Sequence, residues 1–278
     1  MKKCQSPSAP IGVFDYGIGG LTVVKTLSQS LPNERFLFFA DEARVNTPEK
    51  PSAARQHHTE NALKYATFLH SRGAKMIIIA CNLMSVYASD ALQKQMDIPV
   101  IGLVEPIFSA LTKEYPYPEE KKIAVFTTDI AASVQLFTKK LQDVFPGINV
   151  SEIACPRLAK IIDNGLAESL EADQAVRDYA MAAGAHIDAA LLACTRFPIL
   201  LSSFQKALPG VPILDPAKYL PPIVQEILNR EKLAQKATVS DINHFYTTGN
   251  KLAFEKASEN ILGSAESFSA EHISSSFL

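Results

Sequence analysis

Two of the four cysteines sit in matching contexts, and a thiol can both accept and donate a proton near neutral pH. Met76-Ile-Ile-Ile-Ala80 runs into Cys81-Asn82, and Ala189-Ala-Leu-Leu-Ala193 runs into Cys194-Thr195. Each thiol is expected where an apolar strand ends and a helix starts directly afterwards. There the backbone N–H groups and the positive end of the helix dipole favour a thiolate. Two such groups on opposite faces of one substrate carbon suit a two-base exchange, in which one removes the α-proton and the other delivers a proton to the far face. The rival uses of the pair are a metal site and a disulfide. Neither cysteine has a CxxC partner or a nearby His at ligand spacing, which argues against metal. A stable disulfide is out of keeping with a reducing compartment. Cys4 and Cys155 lack the shared context and read as small buried hydrophobes.

Asp15 closes the apolar run Ile11–Phe14, where a carboxylate is costly to bury without a purpose. Local context leaves two uses open: a cap for the following helix, or a carboxylate beside the site that tunes or relays protons. The loop Asp15-Tyr-Gly17-Ile-Gly19-Gly20 half-matches a dinucleotide fingerprint, with Asp41 closing the next strand about where a ribose-binding acid would lie. Thr22 stands where the third glycine belongs. A tight strand-to-helix turn that accepts a small anion such as a carboxylate fits these residues equally well.

The elements that must position these groups alternate regularly. Strands are expected at Ile11–Phe14, Phe36–Ala40, Met76–Ala80, Val100–Leu103, Ile123–Phe126, Asn149–Ile153, Ala189–Ala193 and Val211–Leu214. Helical period marks Leu21–Leu31, Ala53–Ser71, Ser85–Gln95, Ala131–Phe145, Ala172–Ala183 and Ala217–Asn229. Continuously apolar strands separated by helices define an α/β fold with parallel sheets covered on both faces. The two cysteine segments are an internal echo, and the 113 residues separating Cys81 from Cys194 are about one domain's length. Two open sheets are therefore expected, each offering a cysteine at the carboxyl end of a strand, where open α/β sheets bind ligands. The polar, proline-broken stretch Tyr115–Lys122 reads as a loop between the halves. Residues 1–9 and 264–278 read as flexible ends.

Composition narrows the function. Net charge is −2, from 27 basic and 29 acidic residues, without charge runs, so a nucleic-acid partner is not expected. Apolar runs such as Met76–Ala80 fall far short of the roughly 20 residues of a membrane span. Met1-Lys2-Lys3-Cys4 is followed by Gln, Ser and Pro rather than an apolar stretch, so no secretory signal is read there. Cytoplasmic localisation with free thiols is the expectation.

On these residues the chain resembles the glutamate racemases of the aspartate/glutamate racemase family, from Ile11 to about Gly263. Ile11–Thr22 is similar to the family's opening loop, whose Asp lies in the active site. Phe39–Val45 is similar to its second-strand segment, and Ala80-Cys81-Asn82 and Ala193-Cys194-Thr195 to its two catalytic cysteine motifs. Ile98–Pro106, with Glu105, together with Ala154-Cys155-Pro156 and Phe245–Gly249, adds further landmarks. The resemblance implies two pseudo-twofold-related lobes, each an open, mostly parallel sheet flanked by helices, with the active site in the cleft between them. It places residues 10–103 and 213–263 in the first lobe and 104–212 in the second. It implies an isomerase that interconverts L- and D-glutamate for peptidoglycan synthesis, without cofactor or metal, on a small amino-acid substrate. Cys81 and Cys194 would be the acid/base pair, Asp15 the helper of Cys81, and Asn82 and Thr195 substrate contacts. A homodimer is the one assembly considered, and the oligomeric state is left open.

Departures from the family fall on the substrate side. Tyr16 replaces the Ser after the loop Asp, Leu83 a Thr, and Arg196 a His. Asn46-Thr47-Pro48 replaces Pro-Tyr-Gly, whose backbone holds the substrate's side-chain carboxylate, and Asp163 shortens a helper Glu. Tyr16, Asn46, Thr47, Leu83 and Arg196 thus complete the expected substrate-binding set. Aspartate, a hydantoin, or loss of catalysis in a binding or regulatory protein are the alternatives these changes raise.

Overall fold

The computed structural model describes residues 6–44, 51–237, 242–263 and 267–277. The chain begins with β1 (Ile11–Asp15), α1 (Gly20–Ser30), β2 (Phe36–Ala40), α2 (Pro51–Ser71), β3 (Met76–Ile79), α3 (Asn82–Gln95) and β4 (Val100–Ile101). It continues through α4 (Val104–Glu114), β5 (Lys122–Thr127), α5 (Asp129–Ser133), α6 (Leu136–Val144) and β6 (Asn149–Ala154). Then come α7 (Pro156–Asp163), α8 (Leu170–Ala182), β7 (Ala189–Leu192), α9 (Leu201–Ala207) and β8 (Ile213–Leu214). The last part is α10 (Leu220–Arg230), β9 (Asn243–Thr247), α11 (Lys251–Leu262) and β10 (Phe268–His272).

These elements form two compact units, one up to Leu103 and from Leu220 onward, the other Val104–Tyr219. The first holds a six-stranded sheet in the order β10-β9-β2-β1-β3-β4, the second a four-stranded sheet in the order β6-β5-β7-β8. All the pairings are parallel. Every residue of β1, β2, β3 and β7 is buried, which is why these strands read as unbroken apolar runs. The order β2-β1-β3-β4 in one unit recurs as β6-β5-β7-β8 in the other, so the echo seen in the cysteine segments is an architectural repeat. In each sheet the chain first moves to one side of its opening strand and then crosses to the other side. That places a topological switch point between β1 and β3 and another between β5 and β7.

Several expectations are corrected. β8 pairs with β7, so residues 213–219 fold with the second unit and the boundary moves to Leu220. The end segment expected to be flexible contains β10, an edge strand parallel to β9. Phe268 stacks on Phe245 at 4.8 Å and Ile273 is buried, so two apolar anchors and a backbone ladder outweigh a polar composition. At the other end, the carbonyl of Pro7 accepts from the Lys75 ammonium, so residues 6–9 are tied to the body of the unit. The single helix expected over Ala131–Phe145 is two, because Gln135 turns left-handed at φ 51°. The Glu152 carboxylate then accepts from the Thr138 N–H at 3.0 Å and steadies the start of α6. Among the described residues no helix is long and apolar enough to cross a membrane.

Candidate active site

Asp15 is the last residue of β1, and the β1–β3 register sets it beside Ala80, the residue before Cys81. Asp15 and Cys81 therefore lie at the carboxyl ends of neighbouring strands, at the switch point of the first sheet. The Asp15 side chain is almost fully buried, and its Oδ1 accepts from the Tyr16 N–H at 2.7 Å. Gly20 lets α1 begin this close: a Cβ there would stand 2.8 Å from the Asp15 Cβ and 2.7 Å from the Phe38 ring.

Cys81 is a partly exposed thiol outside any disulfide, at the N-cap of α3, with extended backbone at φ −78° and ψ 118°. Its carbonyl accepts from the Ser85 N–H at 2.8 Å, so the first turn of α3 closes directly on it. Asn82, the next residue, is buried, and its Oδ1 has no hydrogen-bond partner among the described residues. A buried amide oxygen left this way costs about 1–3 kcal/mol, which an incoming N–H donor would recover. Leu83 is half-buried on the same turn.

Tyr16 does not stand free over the loop. Its ring is buried against Tyr65 at 6.2 Å, and its hydroxyl lies 2.7 Å from His58 Nδ1 and 3.3 Å from the donating Asn61 Nδ2. Asp41 is equally enclosed: it accepts from the Thr248 hydroxyl at 2.7 Å and from the Tyr65 hydroxyl. Those two bonds give it a structural role in place of the ribose contact raised by the sequence. Asn46 and Thr47 lie outside the described residues, as does Pro48.

In the second unit Cys194 follows β7 and is a buried thiol outside any disulfide, at the β5–β7 switch point. Its setting differs from that of Cys81. The segment after it forms a 3-10 turn, Phe197–Leu200, and α9 starts only at Leu201, so the expected helix start at Cys194 is not there. Thr195 is buried beside the thiol. The Arg196 Nε–H donates to Asp163 Oδ1 at 2.9 Å, which orients the guanidinium from the last residue of α7. Where β1 ends in Asp15, β5 ends in Thr127, so the two units differ in the strand-end group beside the cysteine. Cys155 caps α7 and donates its S–H to the Ile153 carbonyl at 3.4 Å. Burial pushes this thiol far above the ordinary range, so it stays protonated and inert.

The sequence reading missed the polar face of α2. His58, Asn61 and Tyr65 are spaced three and four apart and share one buried stripe with Ala54, Ala62 and Leu69. Polar residues recurring at helical spacing inside an apolar stripe were the available signal. His58 stacks on Tyr87 of α3 at 5.7 Å and 5°, and burial lowers its pKa to about 4, with His57 adding to the shift. The folded protein thus holds this ring neutral while the unfolded chain protonates it below about 6.5. Stability should fall as pH drops from about 6.5 towards 4 and level off below. The loss between pH 7 and 5 should be up to about 2 kcal/mol. Urea midpoints at the two pH values should differ less in His58→Phe than in wild type, and equal pH dependence would show that His58 is not the group responsible. Among the described residues no group of three or more His, Cys, Asp or Glu could hold a metal ion.

Comparison with known proteins gives one consistent result. The family model for Asp/Glu/hydantoin racemase matches residues 18–220, a span that enters both units. A glutamate racemase of Streptococcus thermophilus is 30% identical over 266 residues, covering 95% of each chain. The crystal structure of glutamate racemase from Francisella tularensis in complex with D-glutamate is similar at TM-score 0.84 and 30% identity, covering 96% of this chain and 98% of that one. Glutamate racemase from Thermus thermophilus in complex with β-chloro-D-alanine is similar at TM-score 0.81 and 31% identity, covering 99% of this chain and all of that one.

Proposed function

The chain belongs to the Asp/Glu/hydantoin racemase family, and from that membership we propose that it is a cofactor-independent glutamate racemase. The observation that carries this reading is the survival of both thiols, each at the switch point of its own sheet. Racemisation needs one group to take the α-proton and a second to return a proton to the opposite face, and Cys81 and Cys194 supply those two groups. Asp15, beside Cys81, assists its proton transfer. Asn82, with its unpartnered buried oxygen, takes the substrate ammonium, and Thr195 offers a hydroxyl. Arg196, held in direction by Asp163, supplies permanent positive charge next to Cys194, suited to a substrate carboxylate or a neighbouring thiolate. The product D-glutamate serves peptidoglycan synthesis, and thiols outside any disulfide suit the cytoplasm.

Incubation in deuterium oxide with L- or D-glutamate tests the proposal. The α-proton signal should disappear from either enantiomer, with inversion of configuration accompanying exchange and no added cofactor. Exchange confined to aspartate or a hydantoin would overturn the substrate, and no exchange with any of them would overturn the enzyme.

A further inference from the structure

The polar face of α2 is absorbed by neither thiol's chemistry, yet it grips the residue next to Asp15. The Tyr16 N–H is a donor to the Asp15 carboxylate, so the orientation of that carboxylate is tied to the Tyr16 peptide plane. The plane is fixed in turn by the Tyr16 side chain. Its ring packs edge-on against Tyr65, and its hydroxyl is held between Asn61 Nδ2 and His58 Nδ1. With Asn61 donating to the phenol oxygen, we assign the phenol proton to His58 Nδ1, which puts the ring proton of His58 on Nε2. Asn61 continues the network to His57 Nε2 at 3.1 Å. His58 also stacks on Tyr87 of α3, the helix that Cys81 caps. One stripe of α2 therefore touches both the loop carrying Asp15 and the helix starting at Cys81.

His58 pays for its place: it is fully buried, and its Nε2 has no partner among the described residues. An apolar ring would stack on Tyr87 without an unpaired polar atom, which costs about 1–3 kcal/mol. What histidine adds is the Nδ1 acceptor for Tyr16. We propose that His58 and Asn61 are positioning residues which, through Tyr16, hold the Asp15 carboxylate beside Cys81 and so set the proton affinity of that thiol. The proposal rests on the racemase reading for its catalytic consequence and on the geometry alone for the arrangement. Burial does most to raise the pKa of the phenol, the Asn61 hydrogen bond lowers it, and Cys81, Asp41 and Asp15 raise it further, so the network brings these titratable groups within reach of one another.

The test uses Tyr16→Phe, which keeps the packed ring, His58→Phe, which keeps the stack on Tyr87, and His58→Asn, whose amide can accept where Nδ1 does. All are made in the full chain and checked for native circular dichroism. The first readout is alkylation of Cys81 by iodoacetamide against pH, followed by mass spectrometry, with Cys194 in the same sample as the reference. Releasing a carboxylate from beside a thiol favours the thiolate. The Cys81 profile should therefore move to lower pH by about half a unit or more in Tyr16→Phe and His58→Phe, and His58→Asn should restore it. The Cys194 profile should stay where it is. The second readout is turnover: kcat should fall about tenfold in both Phe variants with KM within about twofold, and return in His58→Asn. Folded variants with unchanged Cys81 profiles would overturn the network. An inactive wild type would overturn the racemase reading instead, and the alkylation comparison would still decide the positioning role.

Discussion

Cys81→Ser and Cys194→Ser are each expected to lower glutamate racemisation by about a thousandfold, the middle of the range for losing a positioned acid or base. A serine hydroxyl does not ionise near neutral pH, so the replaced face keeps its shape and loses its proton carrier. The equilibrium constant between enantiomers is one, so kcat/KM must fall equally in the two directions whichever cysteine is changed. The asymmetry appears elsewhere. In deuterium oxide each variant retains one thiol and can still wash out the α-proton of the enantiomer presented to it, without inversion. Cys81→Ser and Cys194→Ser should therefore exchange opposite enantiomers. Proton NMR of the two incubations reads this directly, and unchanged racemisation in both variants would make the cysteines structural. The two settings, α3 N-cap with Asp15 for Cys81 and a 3-10 turn with Arg196 and Thr127 for Cys194, give reason to expect unequal residual rates.

Lys75→Met is expected to be the most destabilising single change in the first unit, by about 3–5 kcal/mol. The Lys75 ammonium is fully buried and donates to the Glu34 carboxylate, to the Pro7 carbonyl and to the Leu233 carbonyl at 2.8 Å. Glu34 is nearly as buried, and its other oxygen accepts from the Gln235 N–H at 2.9 Å. One cation thus joins the start of β3 to the segments before β1, before β2 and after α10. Methionine preserves the apolar stem but strands a carboxylate and two carbonyls away from water. Adding Glu34→Gln to Lys75→Met removes the uncompensated charge and should recover a substantial part of the loss. Urea midpoints of the wild type, both single variants and the double variant measure the coupling. A Lys75→Met midpoint equal to wild type would show that the clasp contributes nothing net.

Much of the site was legible from local pattern. A strand buried on both faces must be apolar throughout, so the ends of Ile11–Phe14, Met76–Ala80 and Ala189–Ala193 stood out, and with them Asp15, Cys81 and Cys194. The repeat was legible because both cysteines follow the same strand type. β9 and β10 were not, since Asn243–Thr247 mixes polar and apolar residues and β10 is held largely by backbone pairing and one stacked Phe268.

By itself, then, the sequence determined the first eight strands and the placing of Asp15, Cys81 and Cys194 at strand ends, because these follow from hydrophobic period and side-chain type within short windows. The tertiary structure alone decided strand order, and strand order is what puts Asp15 beside Cys81 at a switch point. It also decided that Cys194 meets a 3-10 turn rather than an α-helix, and that Tyr16 turns inward to His58 and Asn61. The inward turn of Tyr16 depends on contacts between residues 42 and 45 positions apart in the chain, where a buried hydroxyl must find a partner in whatever element packs against it.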